Sequence, residues 1–158
     1  KKIFGGITIS HIYEKIEPHK RFRRLQYQIE FSDDGKPELY VKVLNDEEDG
    51  VVPELFFSSA QLNTVALSVF LGGALSSHNP EVKTIFIDDP IGHFDDLNVL
   101  SFIDVIRTII SETDWQIIIS THEENFYEIM KVKLNPKYYN SKFLVFKDEG
   151  IVVEDEVL

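Results

Sequence analysis

Two short stretches, residues 84–88 (TIFID) and 115–121 (WQIIIST), constrain the fold more than anything else in the chain. Each is a nearly unbroken apolar run of strand length and rich in isoleucine, so both faces of each strand ask to be covered, as in the centre of a parallel sheet. Between them, residues 97–112 (LNVLSFIDVIRTIISE) place apolar side chains at helical spacing, with Asp95 or Asp96 as the N-cap. Strand, helix and strand in this order make a βαβ unit, whose crossover is expected to be right-handed. The fold class that follows is α/β, with parallel central strands and flanking helices.

The remaining segments frame that unit. Residues 9–17 (ISHIYEKIE) space Ile9, Ile12, Tyr13 and Ile16 for a helix, which Pro18 stops. Residues 25–31 and 38–43 alternate apolar and polar around SDDGKP, predicting a hairpin with one wet face. A helix is predicted from SSAQLNTVALSVFLGGAL, with Ser58 or Ser59 as cap and Leu62, Val65, Ala66, Val69, Phe70 and Gly73 along one stripe. A further helix follows His122, and a second hairpin is expected around Glu149 and Gly150. Antiparallel hairpins thus stand at both ends.

In open α/β sheets, ligands bind at the carboxyl ends of the strands. One strand here ends in Asp88 and Asp89, the other in Thr121 and His122. Adjacent carboxylates repel one another unless a cation lies between them, and hydrated Mg²⁺ is the ordinary solution, taking few protein oxygens and the rest from water and phosphate. A purely structural account has Asp95 and Asp96 as caps of the next helix, and His122 as a hydrogen-bonded strand end. Likewise SSAQ is an ordinary helix start, yet its hydroxyls and free N–H groups also suit phosphate.

At 158 residues and 43% hydrophobic content the chain can bury a core of its own. The absence of cysteine excludes disulfides and thiolate metal sites. No apolar run approaches the ~18 residues that span a bilayer. The expected setting is soluble and cytoplasmic, compatible with the nucleoid and without membrane contact. Lys1 in place of Met leads us to expect a piece of a longer protein or a processed product. Charge is uneven: the first 43 residues hold 9 Lys/Arg against 6 Asp/Glu, whereas the whole chain carries −11. An anionic partner would therefore meet the first third.

Taken together, the polar segments resemble the C-terminal lobe of an ABC-type P-loop ATPase head of the SMC and SbcC branch. FSSAQ (Phe57, Ser58, Ser59, Ala60, Gln61) is similar to the ABC signature, IFIDDP to Walker B, GHFD (Gly92, His93, Phe94, Asp95) to the D-loop, and STH to the switch-histidine loop. Within the branch, IDDPIGHFDDLNVLSFIDVIR looks most like SMC-like proteins of antiphage systems such as Lamassu. The resemblance implies that residues 1–17 are the end of a coiled coil or an entry helix joining the head, and that residues 18–158 are the lobe. It implies ATP and Mg²⁺ as ligands, with Asp88 holding the metal through water, Asp89 polarising the attacking water, and His122 on the γ-phosphate. Ser58 and the helix start at Ser59, Ala60 and Gln61 would reach ATP bound to a second head, with Gly92, His93 and Asp95 lining that homodimer interface. DNA and an accessory nuclease or effector subunit are the further partners implied.

Two residues depart from the family pattern. Asp89 stands where a Glu is usual, one methylene shorter, which moves a base by about 1.5 Å when it must sit within hydrogen-bond reach of its water. Ala60 replaces a glycine. No G-x-x-x-x-G-K-[ST] occurs, so the Walker A lobe of the same protein must complete the site. Two alternatives remain: a stand-alone metal-dependent phosphoesterase built from Asp88, Asp89, Asp95 and His122, and an ATP-gated clamp with little turnover.

Overall fold

In a computed structural model, which describes residues 9–16, 21–77, 81–147, 150–155 and 157, the chain forms a mixed α/β fold. Helix α1 (Ile9–Ile16) leads into an antiparallel sheet of β1 (Arg24–Phe31), β2 (Pro37–Leu44) and the short β3 (Gly50–Val51). Then come α2 (Pro53–Phe56) and the long α3 (Ser59–Leu75). The βαβ unit is β4 (Thr84–Asp88), α4 (Asp96–Glu112) and β5 (Gln116–Ser120), its strands parallel and in register with Asp88 opposite Ser120. Helix α5 (Glu124–Lys133) and an antiparallel pair, β6 (Leu144–Phe146) with β7 (Val152–Glu154), complete it. Of the segment expected to join a coiled coil, residues 1–8 and 17 lie outside the described residues, as do His19 and Lys20 of the basic turn and Glu149 of the second hairpin. Among the described residues no helix is long and apolar enough to cross a membrane.

Helix α1 joins two cores. Its Ile12 and Ile16 enter the larger cluster around Phe102, Ile103, Ile106 and Leu71, while Ile9 and Tyr13 enter a smaller one with Leu25, Val43 and Val65. All four apolar positions expected of this helix are buried, each worth about 1.5–3 kcal/mol relative to exposure. Two polar ties fix the helix to its neighbours: Ser10 Oγ donates to the Leu25 carbonyl at 2.9 Å and Tyr13 Oη to that of Phe22 at 3.1 Å. Gly72 lets α1 approach α3 closely, since a Cβ there would stand 2.2 Å from Ile9 Cγ1.

The buried face of α3 differs from the stripe the sequence predicts. Thr64, Val65, Leu67, Ser68, Leu71, Gly72 and Leu75 point inward, whereas Ala66, Phe70 and Gly73 are exposed. The helix is apolar almost all round, so its periodicity carries little phase; close approach to α1 at Gly72 sets the rotation instead.

The hairpin and the parallel pair also depart from the simple pattern. On one face of β1–β2 the ladder starts with buried Leu25 opposite Val43 and runs outward to exposed Tyr27, Ile29, Phe31 and Leu39. The apolar face, expected to be covered, is covered only at its inner end. In β4–β5, Ile85 and Ile87 face the core, but Phe86 is 69% exposed and Ile118 42%. One of the two faces predicted to be buried is bare.

Toward the C-terminus, α5 holds the last strand through Asp155. Tyr127 Oη donates to Asp155 Oδ2 at 3.0 Å, and Lys131 Nζ lies 2.9 Å from the same oxygen. Burial first, and the neighbouring carboxylate second, push the Tyr127 phenol up to about 12. The Lys131 hydrogen bond, followed by that of Tyr127, holds the Asp155 carboxyl below its usual range.

Candidate nucleotide site

The parallel register brings the two acids of β4 beside the polar end of β5. Ser120 Oγ donates to Asp88 Oδ1, and Thr121 Oγ1 donates to Asp89 Oδ1 at 3.2 Å. Each carboxylate thus has a hydroxyl from the neighbouring strand. Asp89 also has a left-handed backbone, φ +46°, and its N–H donates to the Ser120 carbonyl at 2.8 Å. This conformation lies in the sparsely allowed region that Asp and Asn tolerate better than most residues.

His122 joins the same corner. Its Nδ1 lies 3.0 Å from Asp89 Oδ2, with 75% of the histidine side chain and 32% of the aspartate exposed. Nε2 lies 3.6 Å from Glu123 Oε1. The structure therefore brings Asp89 and His122 together, as expected of residues meeting at a strand rim.

The signature-like segment begins α3. Phe57 is half-buried, its ring 6.4 Å from that of Phe22. Of the two candidate caps, Ser58 is the one used: the Ser58 N–H donates to Gln61 Oε1 at 3.0 Å, and the Gln61 N–H to Ser58 Oγ at 3.4 Å. This reciprocal box satisfies two of the free donors at the helix start. Ser58 and Ser59 are exposed, and Ala60 is half-buried with its carbonyl accepting from Thr64 Oγ1 at 3.0 Å.

Asp95, rather than Asp96, caps α4, with its Oδ1 accepting from Asn98 N–H at 2.8 Å. Gly92 and His93 lie in the exposed turn between β4 and α4. A shallow groove separates that turn from α3, lined by Ser59, Leu62 and Asn63 on one side and Asp89, Gly92 and His93 on the other. Asp88 instead lines a depression on the bare face of the sheet, with Phe86, Ile118 and Ser120. The two neighbouring acids thus open toward different surfaces.

Among the described residues no group of three or more His, Asp or Glu side chains is placed to hold a metal ion. The four-residue metal centre of the phosphoesterase alternative is not assembled, and Asp95 is engaged as a cap. The exposed Asp88 carboxylate does fit a Mg²⁺ that takes one protein oxygen and completes its shell with water and phosphate. Sequence reasoning missed Ser120 as the partner of Asp88, which strand register alone would have supplied. It also missed Asn63, whose Nδ2 donates to the Pro90 carbonyl at 3.0 Å; nothing in the sequence marks it.

No family model matches the chain. An anticodon nuclease from Escherichia coli is 27% identical over 129 residues, covering 78% of this chain and 32% of the nuclease. The chain thus spans about a third of that relative's length. Among solved structures, an Smc head bound to the C-winged helix domain of ScpA aligns with TM-score 0.64 at 21% identity, covering 98% of this chain and 43% of that one. A chain from a study of ATP-driven dimerization and DNA-stimulated activation of SMC ATPases aligns with TM-score 0.62 at 18% identity, over 98% and 86% of the two chains. On these likenesses and the topology above, the chain has the fold of an SMC-type ATPase head lobe.

Proposed function

We propose that this chain is the C-terminal half of the ATP-binding head of an SMC- or SbcC-like ATPase. ATP binding and hydrolysis would control head dimerisation and DNA engagement, in repair or antiphage defence. Residues 1–17 form the junction with a coiled coil in this reading, and residues 18–158 the lobe. The observation that carries it is the bare outer face of β4–β5, where Phe86 and Ile118 lie exposed beside the Asp88 rim. Parallel strands are covered on both faces in complete domains, so this face suits a second lobe of the same protein, bearing the Walker A motif.

In the completed site Asp88 would hold Mg²⁺ through water. When bound, the ion supplies neutralisation of phosphate charge. Asp89 would orient and deprotonate the attacking water, and His122, kept beside Asp89 at 3.0 Å, would contact the γ-phosphate. Across the dimer, Ser58 and the α3 start at Ser59, Ala60 and Gln61 would meet the ATP of the second head, with Gly92, His93 and Asp95 at the interface. Phosphoryl transfer depends on positioning and charge neutralisation, so dividing the donors between two heads makes the nucleotide part of the interface. The basic first third would meet the DNA backbone without sequence preference.

Replacement of Asp89 by Asn in the full-length protein tests the assignment. A lost general base lowers turnover by about 10²–10⁴-fold, and ATP-driven association of heads is expected to persist. Unchanged turnover would remove Asp89 from that role.

A second reading is a nucleotide-gated clamp that turns over slowly and controls an effector. Supporting it are the short Asp89 side chain, held by Thr121 and His122, and the likeness to an anticodon nuclease. In this case wild-type turnover is already slow and Asp89→Asn changes it little, while ATP still drives association.

A further inference from the structure

The groove beside Asp89 is bridged at Asn63. This side chain leaves the second turn of α3 and donates through Nδ2 to the carbonyl of Pro90 at 3.0 Å. Both ends of the bridge are stiff. Ser58 and Asn63 belong to the same helix start, closed by the Ser58–Gln61 box and by the Leu62 N–H donating to the Ser58 carbonyl at 2.9 Å. Pro90 is buried, and its ring removes free rotation about φ between the accepted carbonyl and Asp89. Asp89 is itself pinned on its far side, by its N–H to the Ser120 carbonyl and by Thr121 and His122.

We infer that Asn63 is a positioning residue that links the start of α3 to Asp89 of the same head. This rests on the ATPase reading above and deepens it. A displacement of α3, where Ser58 would meet the nucleotide of one site, reaches the acid of the other site through one side-chain amide and one proline carbonyl. The two sites of a head pair are then coupled within each subunit as well as across the interface.

The test uses the full-length protein with Asn63→Leu and with Asn63→Asp, which keeps the size of the side chain and removes the donor. Loss of one partner from a part-buried hydrogen bond at a catalytic turn is expected to lower kcat about tenfold, with the ATP KM within about twofold and the melting temperature lowered by only a few degrees. Asn63→Gln, which keeps an amide donor, is expected to recover part of the loss. Amide exchange in residues 91–94 is expected to quicken in the Leu and Asp variants without nucleotide. Wild-type kcat in either variant, or a kcat loss that disappears when the variants and the wild type are assayed at equal distance below their melting temperatures, overturns the inference. Should the wild-type protein fail to turn over MgATP, the ATPase reading fails and exchange alone decides: faster exchange upholds the link, and unchanged exchange refutes it.

Discussion

Helices α3 and α4 are both seventeen residues long, yet one begins neutral and the other negative. At α4, Asp95 caps the first turn and Asp96 lies within it, so two carboxylates oppose the positive end of the helix. At α3 the cap is the neutral Ser58–Gln61 box, and the first turn holds no acidic residue. An approaching phosphate is attracted at one start and repelled at the other. The difference teaches that two capped helices can have unequal chemistry: capping satisfies some of the hydrogen bonds at a helix start, while the charge of the cap decides what else can approach.

The strongest way to break this asymmetry is to make α3 start as α4 does. In the full-length protein, Ser58→Asp keeps a good cap but sets a carboxylate where the triphosphate is proposed to sit. ATP-driven association of heads, followed by sedimentation, is expected to weaken by about a hundredfold or more, given that close like charges cost several kcal/mol. Unimpaired association would detach the α3 start from nucleotide binding.

A second variant acts on how α3 is held. At Gly72 an added Cβ would overlap Ile9, so Gly72→Ala is expected to lose about 1–3 kcal/mol of stability, read from the urea midpoint. An unaltered midpoint would show that α1 yields at no cost. The smallest effect belongs to α4: Asp95→Ala removes the bond to Asn98 N–H and is expected to cost about 1 kcal/mol. Its effect on association should be smaller than that of Ser58→Asp; an equal one would deny that charge distinguishes the two starts.

Elements with a strong period or an unbroken apolar run were readable from sequence. The spacing of Ile9, Ile12, Tyr13 and Ile16 gives α1 together with its buried face, and the isoleucine runs give the parallel pair. The α3 helix was readable but its inward face was not, because a helix apolar on all sides has no preferred phase until a partner such as Ile9 meets Gly72. The meeting of Asp89 with His122 was legible because charge at the end of an apolar strand stands out. Ser120 and Thr121 acquire their meaning only from the register, and Asn63 only from a contact spanning 27 positions. The bare faces of β1–β2 and β4–β5 were invisible too, since alternation records which side chains are apolar and says nothing of what covers them.

The positive φ of Asp89 narrows the repertoire of residues that can stand at that position. Glycine, asparagine and aspartate enter the left-handed region with least strain, so a saturation library at this codon should be sorted by dihedral tolerance before it is sorted by acidity. Exchange for the longer acid would test the main chain first and proton transfer second.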